Sequence, residues 1–194
     1  MKGFTIPEMA AILTLTTIAA GSIAPWVHDY VSEVRYQRAV HDTRAVAEAV
    51  SRFTGDVPGQ SDRERGWAAF DLLVGAGAAP SVGIGGDSAW IAPLGAAGVG
   101  ALDAQLVTNA AGYGAFSPRQ ADWIRGWYGP HVEAGIGPDP WGHRYAINVK
   151  ALSSGASRTV VVSAGPNGQI ETAFQGAAIF AGGDDLIAVV AQAR

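Results

Sequence analysis

FTIPEMAAILTLTTIAAGSIAPWV, residues 4–27, is an apolar run that carries a single charge, Glu8. At about 1.5 Å of rise per residue, a helix of this length covers roughly 36 Å, enough to cross a bilayer core. An isolated carboxylate at bilayer depth is unfavourable and persists where a partner or a function compensates for it. Glu8 is the fifth residue after the Gly3–Phe4 junction. Cleavage there would create an α-amino group on Phe4 at nearly the same depth, and Glu8 of one copy would then neutralise Phe4 of another. The placement therefore reads as an assembly device. An ordinary secretory signal fits poorly: the run exceeds the usual 7–15 apolar residues, Glu8 interrupts its start, and Pro25 follows the only cleavage-like triplet, Ser22-Ile23-Ala24. A plain membrane anchor would explain the length but not Glu8.

The residues MKGFTIPE resemble the prepilin signature of type IV pilins and type II secretion pseudopilins. They comprise a short leader with a Lys, Gly before the cut, Phe after it, and Glu as the fifth mature residue. Pro25 falls at the helix-loosening proline of that family. Pro7 departs from the pattern, where an aliphatic residue is usual, but proline is tolerated in the first helical turn because that N–H has no intrahelical acceptor. The resemblance implies that a prepilin peptidase removes residues 1–3 and methylates Phe4. It also implies a single-pass protein of the bacterial inner membrane with its head in the periplasm. Its partners would be further copies of itself in a helical filament, other pseudopilins and an inner-membrane assembly platform.

The chain of 194 residues suits one globular head behind such a segment. With no Cys, stability outside the cytoplasm must come from packing or a metal rather than from disulfides. A net charge of −4 gives no basic footprint for nucleic acid. The 26 glycines show no collagen-like period and point to a loop-rich head.

Beyond residue 27, Val27, Tyr30, Val31, Val34, Val46, Val50 and Phe53 recur at spacings of three and four, with Glu33, Arg38, Arg44, Glu48 and Arg52 between them. The pattern predicts an amphipathic helix over 28–54, an i,i+4 pair between Glu48 and Arg52, and a stop at Gly55. The head, 55–194, is expected to hold a short helix over Glu64–Val74, a long Gly/Ala-rich loop from Gly75 to Gly100 with a strand at Ala89–Ala92, a helix over Leu102–Thr108 and a helical turn from Pro118. Trp123, Trp127 and Tyr128 read as core filler.

Tyr145–Val149 and Thr159–Val162 have the β-branched and aromatic content of paired antiparallel strands, Ser163–Gly168 is a turn, and Leu186–Val190 is a last strand. The expected fold is α+β: a long N-terminal helix, membrane-spanning in its first half, packed on a loop-rich head with a small antiparallel sheet. The runs DPWG, SAGPNG and GDD resemble the C-terminal half of the major pseudopilin, so the likeness covers roughly the first quarter and last third of the chain. In that family calcium clamps these two loops, which implies Asn167, Asp184 and Asp185 as ligands here. Loops with glycines present carbonyls beside carboxylates as hard cations require. Asn167 stands where many members have Asp, which implies weaker affinity.

Other chemistry is poorly represented. His28, His41, His131 and His143 lack zinc-ligand spacing. Ser163 is not in a nucleophile elbow, Asp139 in DPWG reads as a turn residue, and the glycine strings match no phosphate-binding fingerprint. The expectation is a non-enzymatic pseudopilin that polymerises to drive protein export. The alternatives are a type IV pilin of a surface fibre serving adhesion, motility or DNA uptake, and a membrane-anchored binding module.

Overall fold

A computed structural model describes residues 3–57, 69–114, 126–133, 135–150, 152 and 158–191. The chain divides into two compact units, Met1–Gln37 and Arg38–Arg194. One long N-terminal apolar helix and a small mixed sheet make up the architecture.

Helix α1 runs from Ile6 to Asp56. Within the first unit it is coated with apolar side chains that have nothing to pack on: every described residue from Gly3 to Arg38 is exposed, Trp26 at 80%. This segment is long and apolar enough to cross a membrane. Its hydroxyls are satisfied by its own backbone, Thr14 donating to the Ala10 carbonyl, Thr17 to Leu13 and Ser22 to Ile18. Such back-bonding lets polar side chains sit in an apolar surrounding. Pro25 lies inside the helix and withholds the N–H that the Gly21 carbonyl would otherwise accept.

In the second unit the same helix buries Ala39, Thr43, Val46, Ala47, Val50 and Phe53, spaced to form one stripe. The stripe packs on a five-stranded sheet ordered β3-β1-β4-β5-β7, where β1 is Leu72–Val74, β3 Val99–Ala101, β4 Ala146–Ile147, β5 Val160–Ser163 and β7 Leu186–Val189. Side chains alternate across it. Leu73, Ile147, Val161 and Ala188 face the helical stripe, whereas Leu72, Val74, Ala146, Val160 and Val162 join Trp90, Ile170, Phe174 and Ile179 in a second core. Covering both faces explains the unbroken apolar runs LLV and VVVS.

The sheet is mixed, not purely antiparallel as expected. β1 pairs with β3 in parallel, Leu73 opposite Gly100, while β4, β5 and β7 follow antiparallel. Parallel neighbours need a long crossover, and residues 75–98 supply it. That segment is less loop-like than its composition suggests: it holds β2 (Ser81–Val82), parallel to β6 (Gln169–Ile170), and a short 3-10 helix at Ser88–Ile91. A strand was expected at Ala89–Ala92; instead the Asp87 carboxylate accepts the Ala89 N–H at 2.9 Å and closes a helical turn. The helix expected over Glu64–Val74 also fails where it is described, because Leu72–Val74 is β1. α2 (Leu102–Leu106) forms where a helix was expected.

Helix α1 passes through Gly55, where no left-handed turn forms, and ends after Asp56, with the Val57 N–H closing on the Phe53 carbonyl at 2.9 Å. Its i,i+4 ion pair among the described residues is Arg38–Asp42 at 3.4 Å, and no Glu48–Arg52 pair within 4.0 Å occurs among them. Trp127 packs against the helix-side core, but Tyr128 is 72% exposed and is not core filler. The helical turn from Pro118, and Trp123 with it, lie outside the described residues.

Candidate functional site

The expected site residues fall into two groups, one in each unit. At the N-terminus, Gly3 and Phe4 precede the helix and are exposed. Thr5 stands at the N-cap, and its N–H and Oγ both donate to Glu8 Oε2, at 2.8 and 2.7 Å. This is the carboxylate half of a capping box, in which an acid at the third helical position satisfies the cap residue's free N–H. The sequence reading missed Thr5, although Thr5-Ile6-Pro7-Glu8 has the Thr-x-x-Glu signature. Glu8 therefore has one oxygen engaged within its own chain. Among the described residues Oε1 carries no hydrogen bond.

The second group is built by three loops around the end of β5. Asp139, buried in the DPWG turn, accepts the N–H groups of Trp141 and His143 on Oδ1 at 3.0 and 2.8 Å, and the Ser163 hydroxyl on Oδ2 at 2.7 Å. The turn is thereby fastened to the start of SAGPNG. A fully buried Ser163 donating to a carboxylate is a structural strut rather than a nucleophile. From there the 165–168 turn approaches the GGDD loop. The Asn167 N–H donates to Asp184 Oδ2 at 3.1 Å, and Gly165, at φ +62°, passes so close to the Asp184 carbonyl that a Cβ there would collide with it.

Asp185 points the other way, into the 171–172 segment. Its Oδ2 accepts the Glu171 N–H, the Thr172 N–H and the Thr172 hydroxyl at 2.8, 2.7 and 2.6 Å. The Thr172 carbonyl accepts the Trp90 indole N–H at 2.9 Å, so the Gly/Ala-rich segment is tied to the same loop. Burial pushes the Asp185 carboxyl above its ordinary value of 3.8, against three hydrogen bonds that pull it down, and the Asp184 charge adds to the rise.

One feature suits a hard cation. Asp184 Oδ1 and Asp185 Oδ1 are both buried without a hydrogen-bond partner, and buried polar atoms of this kind ordinarily find one. Against that, no cluster of three or more His, Cys, Asp or Glu side chains able to hold a metal occurs among the described residues. A cation here would have to complete its shell with amide and carbonyl oxygens or water, as calcium readily does and zinc does not. Asn167 is exposed and its amide oxygen accepts the Gln169 N–H at 2.6 Å. The structure thus brings Asn167 to Asp184 through the backbone and commits its side chain to the turn. The four histidines are dispersed, each beside a single carboxylate.

Comparison with protein-family models, curated proteins and solved structures gave no match.

Proposed function

We propose that the chain is the structural subunit of a pilin-like filament, a pseudopilin of a type II secretion apparatus. The observation that carries this reading is an apolar helix surface, exposed throughout the described part of the first unit, whose first turn holds a single carboxylate, Glu8, bonded through Oε2 alone among the described residues. Removal of residues 1–3 exposes the Phe4 amine, and Glu8 of a neighbouring subunit neutralises it as the apolar helices leave lipid and bury one another. Contacts of this head-to-tail kind do not close and propagate as a fibre. The subunit performs no reaction; growth of the fibre moves exported proteins. In this reading calcium is held by Asp184 Oδ1 and Asp185 Oδ1, the two buried carboxylate oxygens without a hydrogen-bond partner, and stiffens the loops that carry them.

Intact mass of the membrane-extracted protein, expressed beside a prepilin peptidase, tests the reading. A chain that begins at Phe4 with one added methyl group supports it. Retention of Met1–Gly3, or cleavage beyond Ala24, overturns it.

A further inference from the structure

Strand β7 ends the sheet order, so one of its edges has no strand beside it among the described residues. Register fixes what that edge presents. The Val190 N–H donates to the Thr159 carbonyl at 2.9 Å, and Val160 to Ser163 lie opposite Val189 to Leu186. Antiparallel ladders alternate, so Ala188 and Leu186 also exchange bonds with β5, while Ile187 and Val189 turn their N–H and C=O groups outward. The next outward carbonyl, that of Ala191, accepts the Ser51 hydroxyl at 2.8 Å. A helix side chain therefore occupies a position that a neighbouring strand's N–H would fill.

Alongside runs a groove of about 620 Å³, walled by the edge and by Arg44, Glu48, Ser51 and Arg52 of α1. Arg44, Glu48 and Arg52 are exposed and recur every four residues, so their charges alternate plus, minus, plus along one helix face. Eight helical residues span about 12 Å, and four strand residues about 13 Å. A strand laid on β7 with acidic side chains at i and i+4 would match the two guanidinium groups, and a basic residue at i+2 would meet Glu48.

We propose that β7 and α1 form a docking groove for an extended segment of a partner protein, added to the sheet as a sixth strand. Its main chain pairs with Ile187 and Val189, and its acid-x-base-x-acid pattern is read by Arg44, Glu48 and Arg52. Main-chain pairing supplies affinity and the alternate side chains supply selectivity. The inference is independent of what the first unit, Met1–Gln37, does.

The test uses the full chain, isotopically labelled in detergent micelles, and a blocked peptide Val-Glu-Val-Lys-Val-Glu-Val as probe. Binding should protect the Ile187 and Val189 amides from exchange. A charge-reversed peptide, Val-Lys-Val-Glu-Val-Lys-Val, should bind at least about tenfold more weakly, as should the first peptide to R44E/R52E. Val189→Pro removes an outward donor without touching the β5 ladder, a site where edge strands tolerate proline. It should keep the melting temperature within a few degrees and lose binding. Equal affinity of Val189→Pro, no protection of either amide, or no binding at millimolar peptide would overturn the proposal. So would amide protection without peptide, whether abolished by truncation after Ala191, meaning the chain's own last residues fill the groove, or dependent on protein concentration, meaning a second copy does.

Discussion

Asp139 holds three donors from two segments on one buried carboxylate. Removing such a group leaves each donor without an acceptor, and unsatisfied buried donors cost about 1–3 kcal/mol apiece before the site relaxes. Asp139→Ala should therefore destabilise the second unit by about 3 kcal/mol, read as a fall in urea midpoint at unchanged slope. Asp139→Asn, which keeps one acceptor oxygen, should lose less. His131 gives the pH counterpart. Its ring meets Phe53 and Trp127 edge-on at 5.3 and 5.9 Å, and Nδ1 lies 3.6 Å from the Asp56 carboxylate. Burial holds the imidazole below its ordinary value of 6.5, with Asp56 pulling it up and Arg52 pushing it down. The unfolded chain then takes up a proton near pH 6.5 that the folded chain refuses until lower pH. Stability is present above that value and is lost as pH falls through it. Thermal melts at pH 7.5 and 5.5 should separate for the wild type and draw together for His131→Phe. Neither effect was visible in the sequence, because Ser163 and Phe53 lie far along the chain from the groups they meet. Thr5 was visible and overlooked: four adjacent residues spell the cap.

At the scale of elements, sequence pattern succeeds where one face dominates and fails where two do. The run over Ile6–Val27 is apolar all round and the Val46-Val50-Phe53 stripe packs on one core, and both are helical. VVVS reads as a strand because β-branching agrees with burial. LLV, equally buried on both faces, carries no β-branched pair to decide the matter and was assigned to a helix. The Gly/Ala-rich segment was opaque for another reason: its order comes from distant partners, Trp90 on Thr172 and Arg144 Nη2 on the Ala92 carbonyl at 2.7 Å. Of the paired loops, the residues themselves show the Ser163–Gly168 turn and an acidic pair beside glycines, and only the family resemblance brings the two together. What the structure adds is two buried carboxylate oxygens without partners. If calcium takes them, the native state gains about 2.7 kcal/mol at a hundredfold excess over the dissociation constant. Melting with millimolar calcium should then exceed melting with chelator by several degrees, and Asp184→Asn should abolish the difference while retaining an oxygen for the Asn167 N–H. An unchanged melting curve in calcium would remove the metal from the account.

For the whole molecule, the contrast between the units sets the question. Arg38–Arg194 buries its own core on both faces of a sheet, whereas Met1–Gln37 leaves large apolar side chains such as Ile6, Leu15 and Trp26 exposed. Such a surface needs lipid or other protein around it. The proposed function gives Glu8 an assembly role, its bonds to Thr5 give it a local duty as well, and a substitution that removes both would be uninformative. Glu8→Gln separates them. Its amide oxygen can still accept from the Thr5 N–H, so the helix start and membrane insertion should survive, while the negative charge opposite a neighbouring Phe4 amine is gone. Filaments sheared from cells and quantified by immunoblot should fall at least about tenfold for Glu8→Gln, since a lost charge pair of 1.4 kcal/mol at each addition already shifts the equilibrium by that factor. Thr5→Val, which removes only the hydroxyl bond, should assemble at close to wild-type yield. If Glu8→Gln assembles normally and Thr5→Val does not, Glu8 serves the helix cap and the charge-pairing mechanism is wrong.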